Sequence, residues 1–336
     1  MGIRGLRRVQ LGREVTEGTS VVSTANWRGE SGSGLVDTRE VVFVEEDIGY
    51  VSGLDRTHVP RLGGTFAMDA TPATFEQLPY LPSASIVNVI TGTADGVGSG
   101  KIYTYTFNTN SVQAIQPYTI EYGDDQEAEE MNGSFAESWE LAGRGGEAVM
   151  MSAAWVGRSV AVAAFTAQPA IPTVEDALFG NSKLFVDAIG GTIGTTQLVG
   201  TFLGASLRVN SGHTHKHSGD GSLQPSIRYL SKGKYMVDFT LTFEHDAGGV
   251  ARKVDWRAET ARLVRWQVEG SNLATAGTLF SKKTIRFDCA AKVTVVPGLG
   301  DQDGNDILEV SFRSRYNVTS ARHASLVVVN EIAALP

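Results

Sequence analysis

Only one cysteine, Cys289, occurs in 336 residues. A single thiol excludes an internal disulfide and a cysteine-only metal site, so packing and hydrogen bonding must carry the fold. Positive charge is also scarce: 29 Lys and Arg against 37 Asp and Glu leave a net charge of −8. That balance argues against a protein that coats nucleic acid, which would carry a basic surface. No segment approaches the roughly 20 consecutive apolar residues of a spanning helix, so membrane insertion is not expected. The opening MGIRGLRRVQ has positive charge but no apolar run behind it, so no secretory leader is expected. Leu6 stands where a myristoylation signal wants Ser or Thr. The expectation is a chain made in a cytosol that stays soluble or assembles with itself.

What is abundant is glycine, 38 residues, and short alternating runs. Hydrophobic content of 42% and charged content of 20% suit a chain able to bury a core. The length allows one large or two ordinary domains. Period-two alternation marks strands at Tyr118–Tyr122, Val237–Glu244, Ile285–Val295 and Leu308–Tyr316, with further strands at Glu40–Val44, Leu62–Asp69 and Lys101–Phe107. Gly143, Gly145 and Gly146 suit a turn between strands at Phe135–Leu141 and Glu147–Trp155. Thr71 and Pro72 suit the start of a short helix that buries Phe75 and Leu78 and stops at Pro79 and Pro82. A second helix is expected at Ala258–Val264, although Trp256–Glu269 also reads as strand, and a helical turn near Val174–Phe179. AQPAIP, with Pro169 and Pro172, reads as a stiff spacer. The expected division is residues 1–168, a linker over 169–180, and residues 181–336. Both halves carry a strand ending in Asp followed by a short helix, which suggests an internal duplication.

No set of residues converges on catalysis. HTHKH places His213, His215 and His217 at a spacing that suits zinc or nickel, yet its SG and SGDGS flanks favour a solvated loop. DQDGND, Asp301–Asp306, lacks the glycine and glutamate positions of a calcium loop and reads as a hairpin turn. GVGSGK fails as a phosphate loop because Asp95 replaces its first glycine and Ile102 its Ser or Thr. GESGSG lacks the spacing of a nucleophile elbow, and Cys289 falls on the apolar side of its strand. No enzyme activity, metal or cofactor is expected.

Several stretches together resemble phage tail tube proteins, the major tail proteins of long non-contractile, siphovirus-type tails. They are LGREVTEGTSVVSTANWRG, VVFVEEDIGYVSG, TPATFEQLPYL, the run from Tyr118 to Gly157, and DQDGNDILEVSFRSRYN followed by LVVVNE. The resemblance is one of pattern and order over most of the chain. It implies a mostly β fold of two tandem antiparallel β-sandwich domains, each with a short flanking helix. It also implies that inner hairpins join a β-barrel shared between subunits. The implied function is a virion structural protein whose rings stack into the conduit for DNA ejection. Implied partners are further copies of the chain, a tape-measure protein, and tail terminator and tail-tip proteins. Double-stranded DNA would pass without specific binding. If both halves are tube domains, three chains close a pseudo-hexameric ring.

Charge and alternation select the candidate lumen-facing residues: Ser134, Ser138 and Glu140 on one hairpin, and Asp238, Thr240, Thr242 and Glu244 on another. The acidic run Asp124, Asp125, Glu127, Glu129 and Glu130 is the candidate ring-stacking loop. Other structural roles compete: a tail terminator, a head–tail connector or a capsid-decorating protein. A carbohydrate-binding β-sandwich of a receptor-binding fibre would want clustered exposed aromatics, whereas the five tryptophans are scattered.

Overall fold

Alternating apolar and polar residues form strands wherever they persist, and 48% of the chain is strand against 6% helix. The computed structural model describes residues 2–230 and 234–336. The first half holds β1 (Arg8–Arg13), β2 (Ala25–Asn26), β3 (Ser31–Asp37), β4 (Val42–Phe43), β5 (Thr57–His58) and β6 (Gly64–Pro72). There follow α1 (Tyr80–Ser83), β7 (Thr93–Ala94), β8 (Lys101–Thr106), β9 (Tyr118–Gly123), β10 (Ala128–Arg144), β11 (Met150–Gly157) and β12 (Ser159–Ala163). The second half begins with β13 (Ser182–Ala188), β14 (Gln197–Leu198), β15 (Phe202–Asn210), β16 (His213–Lys216), β17 (Ile227–Leu230) and β18 (Met236–Glu244). It ends with α2 (Ala247–Arg257), β19 (Ala261–Asn272), β20 (Lys282–Val295), β21 (Gly300–Gln302), β22 (Asn305–Ser314) and β23 (Ala324–Asn330).

Most strand pairings repeat between the halves, all antiparallel; β7–β8, β8–β23 and β21–β22 have no counterpart. In the first, β1 pairs with β2 and β9, β9 with β10, β10 with β11 and β12, β11 with β6, and β6 with β3. In the second, β13 pairs with β14 and β19, β19 with β20, β20 with β22 and β23, β22 with β18, and β18 with β15. The two sets correspond strand for strand in chain order. A small hairpin, β4–β5 or β16–β17, interrupts each half at the same point, and a helix follows β6 and β18 alike. A register shift recurs as well, between Ala136 and Ser138 of β10 and between Val293 and Val295 of β20.

One ladder, from Ser138 with Asn210 to Arg144 with Gly204, joins β10 to β15. It makes a continuous sheet in the order β3-β6-β11-β10-β15-β18-β22-β20. Followed from partner to partner, the ladders branch but never return on themselves, so among the described residues one chain closes no barrel. The first part of β10 leaves this sheet and pairs with β9 and β12. A 17-residue strand thus serves two layers, as a bulged strand can.

The main core cluster reaches from Val9 to Leu335 across both halves, and a small second cluster holds Leu273, Val327 and Val329. Trp155 lies edge-on to Tyr118 at 5.9 Å between centroids, and Phe239 sits 6.0 Å from Phe287. Large aromatic side chains in the main cluster anchor their polar tips: Trp139 Nε1 donates to Ser85 Oγ, and the Tyr105 hydroxyl donates to the Val89 carbonyl. Asp288, 4% exposed, accepts two hydrogen bonds from Arg265, which removes most of the cost of burying its charge. The stretch over 169–180 is pinned to the first half, since Asn26 donates to the Pro169 carbonyl and Arg28 to that of Pro172.

Several local expectations are corrected. β6 runs through Thr71 and Pro72, and the first helix is the single turn Tyr80–Ser83, with Pro79 capping it and Pro82 inside it. Phe75 and Leu78 are fully buried as expected. Ala258–Val264 is not helical; α2 ends at Arg257 and β19 begins at Ala261. Asp246 caps α2 by accepting from Gly249 N at 3.0 Å. Its inner face carries Gly249, Arg252 and Asp255, while Val250, Val254 and Trp256 point outward. The Glu40–Val44 strand shrinks to the two-residue β4.

Candidate functional site

One face of the continuous sheet packs on the core and the other is open. On β18, Val237, Phe239, Leu241 and Phe243 are buried, while Asp238, Thr240, Thr242 and Glu244 lie on the opposite face. On β10, Trp139 and Leu141 are buried, and Ser138 and Glu140 are on the open side. The β10–β15–β18 register then brings both hairpins onto one surface, with Glu140 opposite Arg208 and Arg208 opposite Asp238. Six of the seven candidate lumen residues share that surface.

Ser134 is the exception. It is fully buried, and its hydroxyl donates to the Met131 carbonyl. The extra residue is Glu137: β11 pairs Trp155 with Ala136 and Ala154 with Ser138, leaving Glu137 unmatched. Because side chains alternate, one added residue swaps the faces of everything before it. Phe135 therefore lies on the side opposite Ser134, where the β16–β17 hairpin covers it.

Charge on the open face is balanced rather than acidic. Across the strands runs Glu140, Arg208, Asp238, Arg313 and Lys292. Asp238 accepts two hydrogen bonds from Arg313, at 2.6 and 3.0 Å, and its carboxylate raises the Arg313 pKa. Glu140 accepts from Ser206 at 2.7 Å. The next row is hydroxyl-rich, with Ser206, Thr240 and Ser311 side by side. Below it Arg144, Gly204, Thr242 and Glu309 align, and glycine leaves a shallow groove of about 300 Å³. Arg208 and Ser206 escaped the sequence reading because β15 shows no clean alternation through FLGAS. Since Asp238 and Arg313 both reach solvent, Arg313→Ala should cost at most about 1 kcal/mol of monomer stability in thermal unfolding.

The acidic run is not one loop. Asp124–Glu127 makes the turn between β9 and β10, whereas Glu129 and Glu130 belong to β10. Asp125 accepts from Ile3 N at 3.0 Å and Glu130 from Ser20 Oγ at 2.8 Å. Partial burial, with Glu127 and Asp37 nearby, pushes the Glu129 pKa up. HTHKH is likewise no loop: His213–Lys216 is β16, paired with β17. His213 is buried and His217 exposed, and no group of three or more metal-binding side chains occurs among the described residues. Cys289 is fully buried, which raises its pKa well above that of a free thiol. No protein-family model matches this chain, and no curated protein matches it.

Proposed function

We propose that the chain is a tail tube subunit: copies join edge to edge into a ring, rings stack, and the open sheet face lines a conduit for DNA. The observation that carries this reading is the repeated set of ladders together with the β10–β15 joint. That joint couples two equivalent units side by side. By the same equivalence the chain has two unused ends. Among the described residues β3 has β6 as its one strand partner, and the end of β20 beyond Lys292 has β22 alone. Unpaired edges are an invitation to further strands, and closing them into a barrel removes the hazard. Where β10 takes β15, the end of β20 would take β3 of the next copy. Three chains would then supply six units and a closed ring.

The balanced lining suits a channel for DNA. Duplex DNA carries about one negative charge per 1.7 Å of axis, so free cations would hold phosphates and slow passage. Pairs such as Asp238 with Arg313 tie up part of the positive charge, acidic side chains such as Glu140 and Glu309 offset more of it, and the hydroxyl rows stay wet. A tape-measure protein inside the tube, and terminator and tip proteins at its ends, are the partners this reading calls for.

The shared bulge sets the register of the test. Ser138 pairs with Asn210, and Asn210 corresponds to Thr38 as Val209 does to Asp37, so the equivalent Val295 would face Thr38 of the neighbour. Opposed strand residues lie about 4.5–5.5 Å apart at Cα, within disulfide reach. Oxidised Thr38→Cys/Val295→Cys protein should give covalent dimers and then trimers, and averaged micrographs should show rings of three chains with pseudo-sixfold outline. Cys289 is fully buried and should not compete. Uncrosslinked monomers throughout, or rings of six chains with true sixfold symmetry, would refute this assembly.

A further inference from the structure

The β16–β17 hairpin leaves its own half and lies over the first. The His215 and His213 rings stand edge-on to Phe135, at 4.8 and 6.1 Å. Arg158, just after β11, donates from Nε to the Pro225 carbonyl at 2.6 Å, and Gln224 donates to Ser159. At the hairpin's base, the backbone and side chain of Ser211 both donate to the Glu137 carbonyl. The equivalent hairpin, β4–β5, pairs only with itself and has no such seat among the described residues of its own chain. Its connecting segment leaves Phe43 64% and Tyr50 74% exposed, with Val41, Val51 and Leu54 also open to water. Apolar groups gathered this densely on one small hairpin mark a contact surface.

The shared bulge locates the matching seat. It aligns Glu137 with Thr294 and Arg158 with Arg315. Beside Arg315 lies a groove of about 610 Å³, formed by Lys234, Tyr235, Tyr316, His323 and the loop Asn108–Val112. Tyr235 is 6% exposed, yet among the described residues its hydroxyl has no hydrogen-bond partner, and neither has His323 Nε2. Buried polar groups of this kind normally find partners. Arg315 is exposed, and its side chain donates to no described residue.

We infer that the β4–β5 hairpin of one copy seats in this groove of the next copy, as β16–β17 seats over Phe135 and Arg158 within the chain. This rests on the tube reading, because pairing of β3 with the end of β20 is what brings the neighbour's hairpin alongside. Arg315 then donates to a hairpin carbonyl, as Arg158 does to Pro225. The apolar side chains of the hairpin cover Tyr316 and Val112, and its polar groups reach Tyr235 and His323.

The test uses full-length Phe43→Asp, Arg315→Ala and the double variant. Monomer melting is measured at low concentration, and the critical concentration for assembly by sedimentation. Both residues are exposed in the monomer, so melting should stay unchanged. Each single change should raise the critical concentration about tenfold, and the double no more than about threefold beyond the larger single effect, because the two residues share one contact. Effects that multiply, or no effect, would overturn the hairpin seat. Edge pairing is read separately by adding Thr38→Cys/Val295→Cys to each variant at high concentration. Crosslinking that persists with unchanged assembly removes the seat alone, whereas absence of multimers in the parent removes the tube reading and the seat together.

Discussion

A chain lacking Glu137 should fail to fold, although the Glu137 side chain is exposed. Glu137 is the added residue that lets β10 serve two layers. Without it the alternation of β10 would run unbroken from Ser134, past the separate irregularity between Met131 and Ser134, to Arg144. If the first part keeps its register with β9 and β12, Trp139 and Leu141 turn to solvent and Glu140 turns into the core. Exposing a Trp and a Leu costs about 1.5–3 kcal/mol each, and burying an unpaired carboxylate costs several more. If the second part keeps register instead, Tyr118 and Ile120 lose the partners that bury them. Either way the loss reaches the whole of an ordinary domain's stability. Glu137→Ala is the control, since the carbonyl, not the carboxylate, makes the contacts to Ser211. That variant should melt within about 1 °C to 2 °C of the parent, as exposed substitutions do. A folded deletion variant by circular dichroism and near-ultraviolet spectra would sink the account of the bulge.

The same bulge explains why the candidate surface was only partly legible. Period-two alternation in Val237–Glu244 and Leu308–Arg313 states which face is buried, and the strands obey it. In β10 no glycine or proline announces the extra residue at Glu137, so Ser134 was assigned with Ser138 when it belongs with the core. α2 was misplaced for a different reason. Gly248 and Gly249 discourage helix, and its inward Arg252 and Asp255 form a buried ion pair while its apolar residues point out. Hydrophobic periodicity therefore points to the wrong face. β16 was lost because HTHKH is polar, and what buries it is Phe135, 78 or more residues away in sequence. The duplication hid for a physical reason too. Ladders are made by backbone groups, so two halves can share every pairing while sharing few side chains.

Acid should lift the β16–β17 hairpin before the sheet melts. Burial pushes the His213 pKa down to about 4, with the Arg228 cation adding to it. Burial also brings His215 to about 4, helped by Arg158, Arg228 and His217. Glu17 pairs with Arg228 at 3.5 Å, and Glu137 lies in the same groove as His215. Among the described residues neither nitrogen of His213 has a partner, nor has His215 Nε2, so both rings rest neutral against Phe135. Freed from the fold, each titrates near its ordinary 6.5. Between pH 6.5 and 4 the open state therefore binds more protons than the closed one, and stability falls as pH falls. Above 6.5 both states are neutral and nothing is lost. A full shift is worth about 3 kcal/mol for His213, and about half that for His215, which keeps contact with water. Carboxylates held low by their partners, such as Asp187 with the Gly194–Thr196 amides, lose their contribution mainly below this window. Native-state amide exchange should therefore show β17 losing protection by about 4 kcal/mol from pH 7 to pH 4, while β18 and β22 change less. His213→Phe with His215→Phe keeps the rings and removes the titration, so its β17 protection should be nearly flat across that range. An equal slope in parent and double variant would place the acid sensitivity elsewhere.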